Sequence, residues 1–464
     1  MTKSNNSTHK KSCKTHATPA RLAALEVVRQ VRTRNAFAQD VIATVIDKSQ
    51  MPKQERAFAT LLALGCVSAR GTLDEIINMA LNSEKDIFAD TRDALQVSTY
   101  EIIFLKKEPH AAVDQGVELV RSFAPAACGV ANAVLHKIVR LAPKFPFGNP
   151  SEDINAFARQ YAFPTWLAQE LVNIYDDRGV AEQFMKASNE QAPVYIGVNT
   201  CKTTCDEVIK TFSAAGEKLN PVKQPKGNIE GCFRLSSSQA LLHKSISKLF
   251  DEGKILVCDA AAQYIVSSTL PDRKPKSILE IGAGRATKTI LLQSGAMHKY
   301  GTQIINYVAV DNHEYKIELL EKRTKAYDTY ILNAITADAC NLGDALHNWV
   351  YDFVFVDAPC TGLGTLRRHP EIRWRITPND IARAADLQLK MLLSAAEHVS
   401  SGGILVYSTC TVTLQENVEV VQKFLHSEIG DQFVILPTNG QKVIPTTLSP
   451  GSSDAHFAIR FVRV

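Results

Sequence analysis

From Thr18 to about residue 142, apolar residues recur every three or four positions, beginning with Leu22, Leu25, Val28 and Val31. That spacing marks one buried face of a helix. Thr18-Pro19 places a capping residue and a proline at the first helical position. Further amphipathic segments fall near 36–48, 53–70, 73–82, 91–106, 110–123 and 126–142. About seven helices joined by short loops predict an all-α bundle over 18–148, closed by Gly148-Asn149-Pro150. Residues 149–250 mix helices with short strands, such as Val194-Tyr195-Ile196-Gly197-Val198 before a helix from about Cys205, and predict a small α/β connector. After Pro271-Asp272-Arg273-Lys274-Pro275-Lys276 the texture changes again. Short apolar runs at 277–281, 305–310, 331–335, 352–357 and 403–408 alternate with helical stretches. This alternation predicts a mostly parallel sheet covered on both faces, in a domain over 251–464.

A length of 464 residues suits two to four domains, because single cores stop growing beyond ~250–300 residues. No apolar run approaches the ~20 residues that span a bilayer, and the first twenty residues lack a hydrophobic signal core. A cytoplasmic chain without membrane contact is expected. The net charge of +4 permits nucleic-acid binding without demanding it. Its distribution is more telling: Lys3, Lys10, Lys11, Lys14 and Arg21 all precede the first acid, Glu26. The segment 1–17 is therefore expected to be a disordered basic tail, suited to touching phosphate or simply to solubility. Ten cysteines without paired spacing fit a reducing compartment. Cys201 and Cys205 are the one close pair, with no further Cys or His near enough to complete a zinc set, so no metal is expected.

Candidate chemistry gathers where apolar runs end. Ser277-Ile278-Leu279-Glu280-Ile281 leads into Gly282-Ala283-Gly284-Arg285-Ala286-Thr287-Lys288, a turn whose glycines allow close backbone approach to a ligand. Thr287 stands where a dinucleotide fingerprint needs its third glycine. The acid-x-Gly-x-Gly form instead resembles the first motif of S-adenosylmethionine-dependent methyltransferases. Asp311 and Asp338 end the next two predicted strands, and a carboxylate at the second strand tip can accept both ribose hydroxyls. Cys360, in Asp357-Ala358-Pro359-Cys360, and Cys410, in Ser408-Thr409-Cys410, each follow a buried run. Either alone reads equally well as a small buried hydrophobe; two at matching strand ends open into one crevice. Methylating C5 of cytosine needs a thiolate to add at C6 and a second base to remove the C5 proton. Two thiols meet those needs, with Asp357 placed to hold ring nitrogen N3.

Asp357-Ala358-Pro359-Cys360-Thr361-Gly362, Arg367-Arg368-His369-Pro370-Glu371-Ile372-Arg373-Trp374, and Ser408-Thr409-Cys410 followed by Glu416-Asn417 closely resemble the bacterial 16S rRNA cytosine-C5 methyltransferases of the Sun/Fmu type. The resemblance implies a Rossmann-like methyltransferase domain and assigns attack to Cys410 and product release to Cys360. It places S-adenosylmethionine against Gly282–Lys288, Asp311, Asp338 and Asp357. The helical segment resembles the RNA-binding factor NusB, through Pro109-His110-Ala111-Ala112-Val113 and Gly129-Val130-Ala131-Asn132-Ala133-Val134-Leu135. The implied partner is RNA, 16S rRNA by resemblance, bound by a monomer as single-stranded or flipped cytosine. Arg367, Arg368, Arg373 and Trp374 are candidate contacts for phosphate and an unpaired base.

Two departures stand out. The family's cofactor turn usually reads Cys-Ala-Ala-Pro-Gly-Gly-Lys, and this chain keeps only its lysine and one alanine in place. Gly197 occupies a position where arginine is common. The altered turn leaves open a second reading, an RNA-binding or ribosome-assembly protein impaired in methyl transfer. A third, a nicotinamide oxidoreductase, leaves the paired cysteines unexplained.

Overall fold

The computed structural model describes residues 15–224, 227–347, 349–438 and 440–464. The expected basic tail lies outside them as far as Lys14. Thr15 and His16 are tethered: the Thr15 hydroxyl donates to the Glu118 carbonyl at 2.7 Å and the His16 N–H to the Glu118 carboxylate at 2.9 Å. The chain divides into two units. One holds the residues up to Asn189 together with Leu366–Arg375, and the other holds Glu190–Thr365 and Ile376–Val464.

The first unit is helical: α1 (Pro19–Arg34), α2 (Ala38–Val45), α3 (Lys53–Ala80), α4 (Ala89–Ile103), α5 (Pro109–Arg121), α6 (Cys128–Leu141), α7 (Ile154–Gln160), α8 (Thr165–Tyr175) and α9 (Arg178–Ser188). The apolar stripes meet in one core that includes Leu25, Val28, Leu62, Leu73, Leu95 and Leu135. Two expected helices, 53–70 and 73–82, are a single helix. Gly71 reads as a breaker in the sequence, yet here it sits inside α3 because the Trp374 ring lies on its backbone, where a Cβ would come within 2.2 Å of the ring. Helices α7–α9, expected in the connector, belong to this unit. Arg159 ties α7 in by donating to Glu75 at 2.9 Å and to the Pro146 carbonyl at 3.1 Å.

The second unit begins with a four-stranded antiparallel sheet, in the order β2-β3-β1-β4. Its strands are β1 (Tyr195–Val198), β2 (Leu219–Gln224), β3 (Gly227–Leu235) and β4 (Ile255–Val257), with α10 (Cys205–Ala214) and α11 (Lys244–Asp251) packed on them. After α12 (Ala260–Thr269) comes the larger sheet: β5 (Ser277–Ile281), β6 (Asn306–Asp311), β7 (Asn333–Thr336), β8 (Tyr351–Asp357), β9 (Val399–Thr409), β10 (Phe433–Ile435), β11 (Val443–Pro445) and β12 (Phe457–Arg463). The strand order is β10-β12-β9-β8-β5-β6-β7, with β11 paired to β12. β5 through β9 run parallel, whereas β12 is antiparallel to β9, β10 and β11. Between the strands lie α13 (Thr287–Tyr300), α14 (Glu314–Ala326), α15 (Gly343–Leu346), α16 (Ile372–Arg375, in the helical unit) and α17 (Pro378–Glu397); α18 (Val420–Leu425) follows β9.

The parallel strands are apolar at almost every position because each is buried on both faces. Leu279, Val308, Val354 and Leu405 face one core. Ile278, Tyr307, Phe353 and Val406 face the other. The smaller sheet is pinned to the larger one by Asn199, whose side-chain amide donates to the Tyr327 carbonyl at 2.7 Å, and by Thr200, whose N–H donates to the Ser294 hydroxyl at 3.0 Å. No helix among the described residues is long and apolar enough to cross a membrane.

Candidate active site

Strand order reverses at β5: β6 and β7 lie to one side, β8 and β9 to the other. Ligands of open α/β sheets collect at the carboxyl ends of the strands at such a switch. In-register pairing sets Ile281 beside Val310 and Val356, Asp311 beside Thr336, and Asp357 beside Ser408. Gly282, Asp311, Asp357, Cys360 and Cys410 therefore leave adjacent strands on one edge. They surround a cavity of about 580 Å³, which Gly284, Lys288 and Asp338 also line.

The two sulfurs are 3.2 Å apart, and the Cys410 N–H donates to Cys360 Sγ at 3.3 Å. The hydrogen bond to Cys410, followed by burial, pushes the Cys360 thiol well above its ordinary range. Either sulfur can be the donor in the contact between them. Lys288, in the first turn of α13, forms an ion pair with Asp357. Burial opposes its charge, but Asp357 and then the two sulfurs outweigh burial and hold the ammonium above its usual value. Lys288 thus lines the cavity as a buried cation paired with Asp357.

Several features fit S-adenosylmethionine. Gly282 (φ 81°) carries the chain so close to β8 that a Cβ would meet the Asp357 carbonyl oxygen at 2.3 Å. Asp311 presents a buried carboxylate to the cavity, braced by the Gly284 N–H at 3.0 Å and by Lys316 at 3.2 Å. Asp338 accepts from the Cys340 N–H at 2.9 Å and lines the cavity. Ala283, Arg285, Ala286 and Thr287 shape the turn without lining the cavity, and the Arg285 carbonyl is held by Arg323. Ala286, where the family turn has glycine, adopts a left-handed φ of 60°. The turn survives its unusual sequence at the expense of local strain.

The expected RNA contacts are corrected. Arg373 is fully buried, its guanidinium donating to Asn189 Oδ1 at 2.7 Å and to the carbonyls of Ser188 and Ala162 at 3.1 and 3.2 Å, over the Phe163 ring. The Trp374 indole N–H donates to the Ser68 carbonyl at 2.7 Å. Arg367 is 5% exposed. Arg367 and Arg373 are buried and offer no surface to a phosphate or base, whereas Trp374 and Arg368 are half-buried, the Trp374 ring lying over Gly71 of α3. The arginine-aromatic pattern is the same for a nucleic-acid face and for a buried cation against a ring. The sequence reading also missed His313, Lys316, Leu387, Met391 and His456, which line the cavity.

Residues 268–456 match the model of the 16S rRNA methyltransferase RsmB/F family, 18–140 that of the NusB family, and 163–230 that of an RsmF/B-like ferredoxin-like domain. A Mycobacterium tuberculosis protein named only as a methyltransferase is 30% identical, covering 87% of this chain and 86% of its own. The ribosomal RNA small subunit methyltransferase B of Thermus thermophilus is 29% identical over 87% of each chain. Among solved structures, the protein PH0851 shares the fold, with a TM-score of 0.77 over 97% of this chain and all of that one, at 22% identity. The glycine turn, the acids on successive strand tips and the paired cysteines therefore sit in a chain that belongs to the RsmB/F family of S-adenosylmethionine-dependent methyltransferases.

Proposed function

We propose that this protein methylates C5 of a cytosine in small-subunit ribosomal RNA through a covalent adduct with Cys410. The observation that carries the reading is the pair of sulfurs in contact at the ends of β8 and β9, in the cavity that Asp311 and Gly282 line. The ribosomal substrate rests on the relatives named for that activity. S-adenosylmethionine supplies an electrophilic methyl group when bound. Cys410, whose sulfur lies 3.2 Å from that of Cys360, is the nucleophile that adds to C6. Asp357 holds the ring at N3, its charge shared with Lys288. With the methyl group on C5, Cys360, its own proton passed to water in the open cavity, takes the C5 proton as thiolate; the C5–H electron pair re-forms the C5–C6 double bond and the C6–S bond breaks to release Cys410.

The test is substitution of each cysteine. With S-adenosylmethionine and ribosomal RNA, Cys360→Ala is expected to accumulate a protein–RNA adduct that survives a denaturing gel, and Cys410→Ala to form neither adduct nor product. Nucleoside mass spectrometry of wild-type product should find 5-methylcytidine. An adduct on Cys410→Ala, or a methyl group on any other atom, overturns the proposal.

A further inference from the structure

One buried acid outside the cavity touches both cysteine-bearing turns. Glu416 follows Cys410 in a π-helical turn (Gln415–Glu419) and has no solvent exposure. Its Oε1 accepts the Thr361 N–H at 2.8 Å and Gln388 Nε2 at 3.1 Å. Its Oε2 accepts the hydroxyls of Thr361 at 2.5 Å, Thr413 at 2.8 Å and Thr411 at 3.1 Å. Thr361 follows Cys360 directly and Thr411 follows Cys410 directly, and their hydroxyls meet at 2.9 Å. Neighbouring groups complete the bracket. Gln388 also donates to the Pro359 carbonyl, just before Cys360, at 2.9 Å. Asn417 accepts from the Thr409 hydroxyl at 2.7 Å and donates to the Thr411 carbonyl at 3.1 Å, on either side of Cys410.

We infer that Glu416 is a positioning residue for both sulfurs, a single buried carboxylate that ties the Cys360 turn to the Cys410 turn and sets the gap between them. A carboxylate without solvent is retained only where donors saturate it, and the donors here come from the two turns that must stay in register. Neither turn has a regular strand or helix to fix it past β8 and β9. Past the sheet the main chain joins the turns through the Gly364 N–H, which donates to the Cys410 carbonyl at 3.0 Å; the bonds from Thr361 to Glu416 add a side-chain link directly beside Cys360. This inference rests on the proposed joint use of the cysteines, and its test has a readout that does not depend on it.

Sulfur proximity is read by closing a Cys360–Cys410 disulfide with diamide, whose azo group takes up the two thiol hydrogens. Closure is followed in the full-length protein by peptide mass mapping. Wild type should close readily. Glu416→Ala should slow closure by about tenfold or more, since disulfides tolerate little misplacement. It should also lower kcat by about 10²-fold while KM for S-adenosylmethionine and RNA holds, the expected effect of an ångström-scale displacement of a reacting group. Glu416→Gln, whose amide can serve the same threonine hydroxyls after they rotate, should restore closure and most of kcat. If Glu416→Ala does not fold by circular dichroism, Thr411→Val decides, because it removes the hydroxyl next to Cys410 that bonds Glu416 and Thr361, leaving the bonds of Thr361 to Glu416 in place, and should slow closure in the same direction. Closure at the wild-type rate in Glu416→Ala or Thr411→Val, or a Glu416→Gln protein as slow as the alanine variant, overturns the inference. Failure of the cytosine reading would instead leave closure sensitive to Glu416 while no 5-methylcytidine forms.

Discussion

Glu280 lies on β5 one residue before the glycine turn, wholly buried on the face it shares with Ile278 and Tyr307. Its Oε2 accepts the Thr289 hydroxyl at 2.6 Å and the Tyr307 hydroxyl at 2.7 Å, while Oε1 has no partner. Burial, opposed by those two hydrogen bonds, pushes the carboxyl up to about 7 from an ordinary 4.5. A carboxyl whose folded pKa is raised contributes stability that is complete below the unfolded value and is lost as pH rises through the folded one. At 1.36 kcal/mol per unit, the loss is about 3 kcal/mol in all, of which about 2.5 kcal/mol falls between about pH 5 and pH 8. Glu280→Gln removes this titration and keeps an oxygen for the two hydroxyls. Its amide hydrogens find no acceptor beside Oε1, a fixed cost of about 1–3 kcal/mol at every pH. The variant is thus less stable than wild type near pH 5 and gains on it steadily, reaching parity or better near pH 8. The assay is hydrogen exchange of the peptides covering β5 and α13, which reads local opening free energy in each protein across that range. A wild-type minus variant difference that stays flat with pH, or that grows in favour of wild type, refutes the argument.

Three further outcomes follow from side-chain placement. Gly71→Ala should gain about 1 kcal/mol from helix propensity but lose more, about 1–3 kcal/mol, by forcing the Trp374 ring off α3; thermal unfolding should show a net drop. Arg373→Met should destabilise the helical unit by about 3 kcal/mol or more in urea titration, since it strips the buried carbonyls of Ala162 and Ser188, and the Asn189 amide oxygen, of their donor, while affinity for RNA in the folded protein stays unchanged. Ala286→Gly relieves a left-handed alanine and should raise stability by up to about 1 kcal/mol, with S-adenosylmethionine affinity measured by calorimetry equal to or above that of wild type.

The sequence carried the site more legibly than it carried the packing around it. Strand ends were readable because strands buried on both faces are unbroken apolar runs, and the chemistry sits where those runs stop, at Asp311, Asp357, Cys360 and Cys410. Strands β10 to β12 were not anticipated, being short or antiparallel at one edge, without the helix-strand alternation that announces a parallel sheet. The break expected in α3 failed because a glycine in a helix looks the same whether it ends the helix or admits a ring such as Trp374. Arg373 was misread for a related reason: a charge with an aromatic neighbour gives no sign of whether carbonyls or solvent will face it. The bracing by Glu416, and the pairing of Lys288 with Asp357, are properties of three-dimensional proximity across turns distant in sequence, which no local pattern encodes.

The stretch Leu366–Arg375 departs from the sheet unit and returns to it, and this makes the two units topologically inseparable. A cut near residue 189 would not release two intact halves. The shorter piece would lack the indole that fills the notch over Gly71 and the guanidinium that satisfies the carbonyls of Ala162 and Ser188. The longer piece would carry those same groups stranded in water, on the segment of chain that joins one cysteine turn to the other. Domain-swapping or truncation experiments on this protein must therefore move the segment together with the helices, because the boundary between the units is crossed more than once by a single continuous strand of sequence.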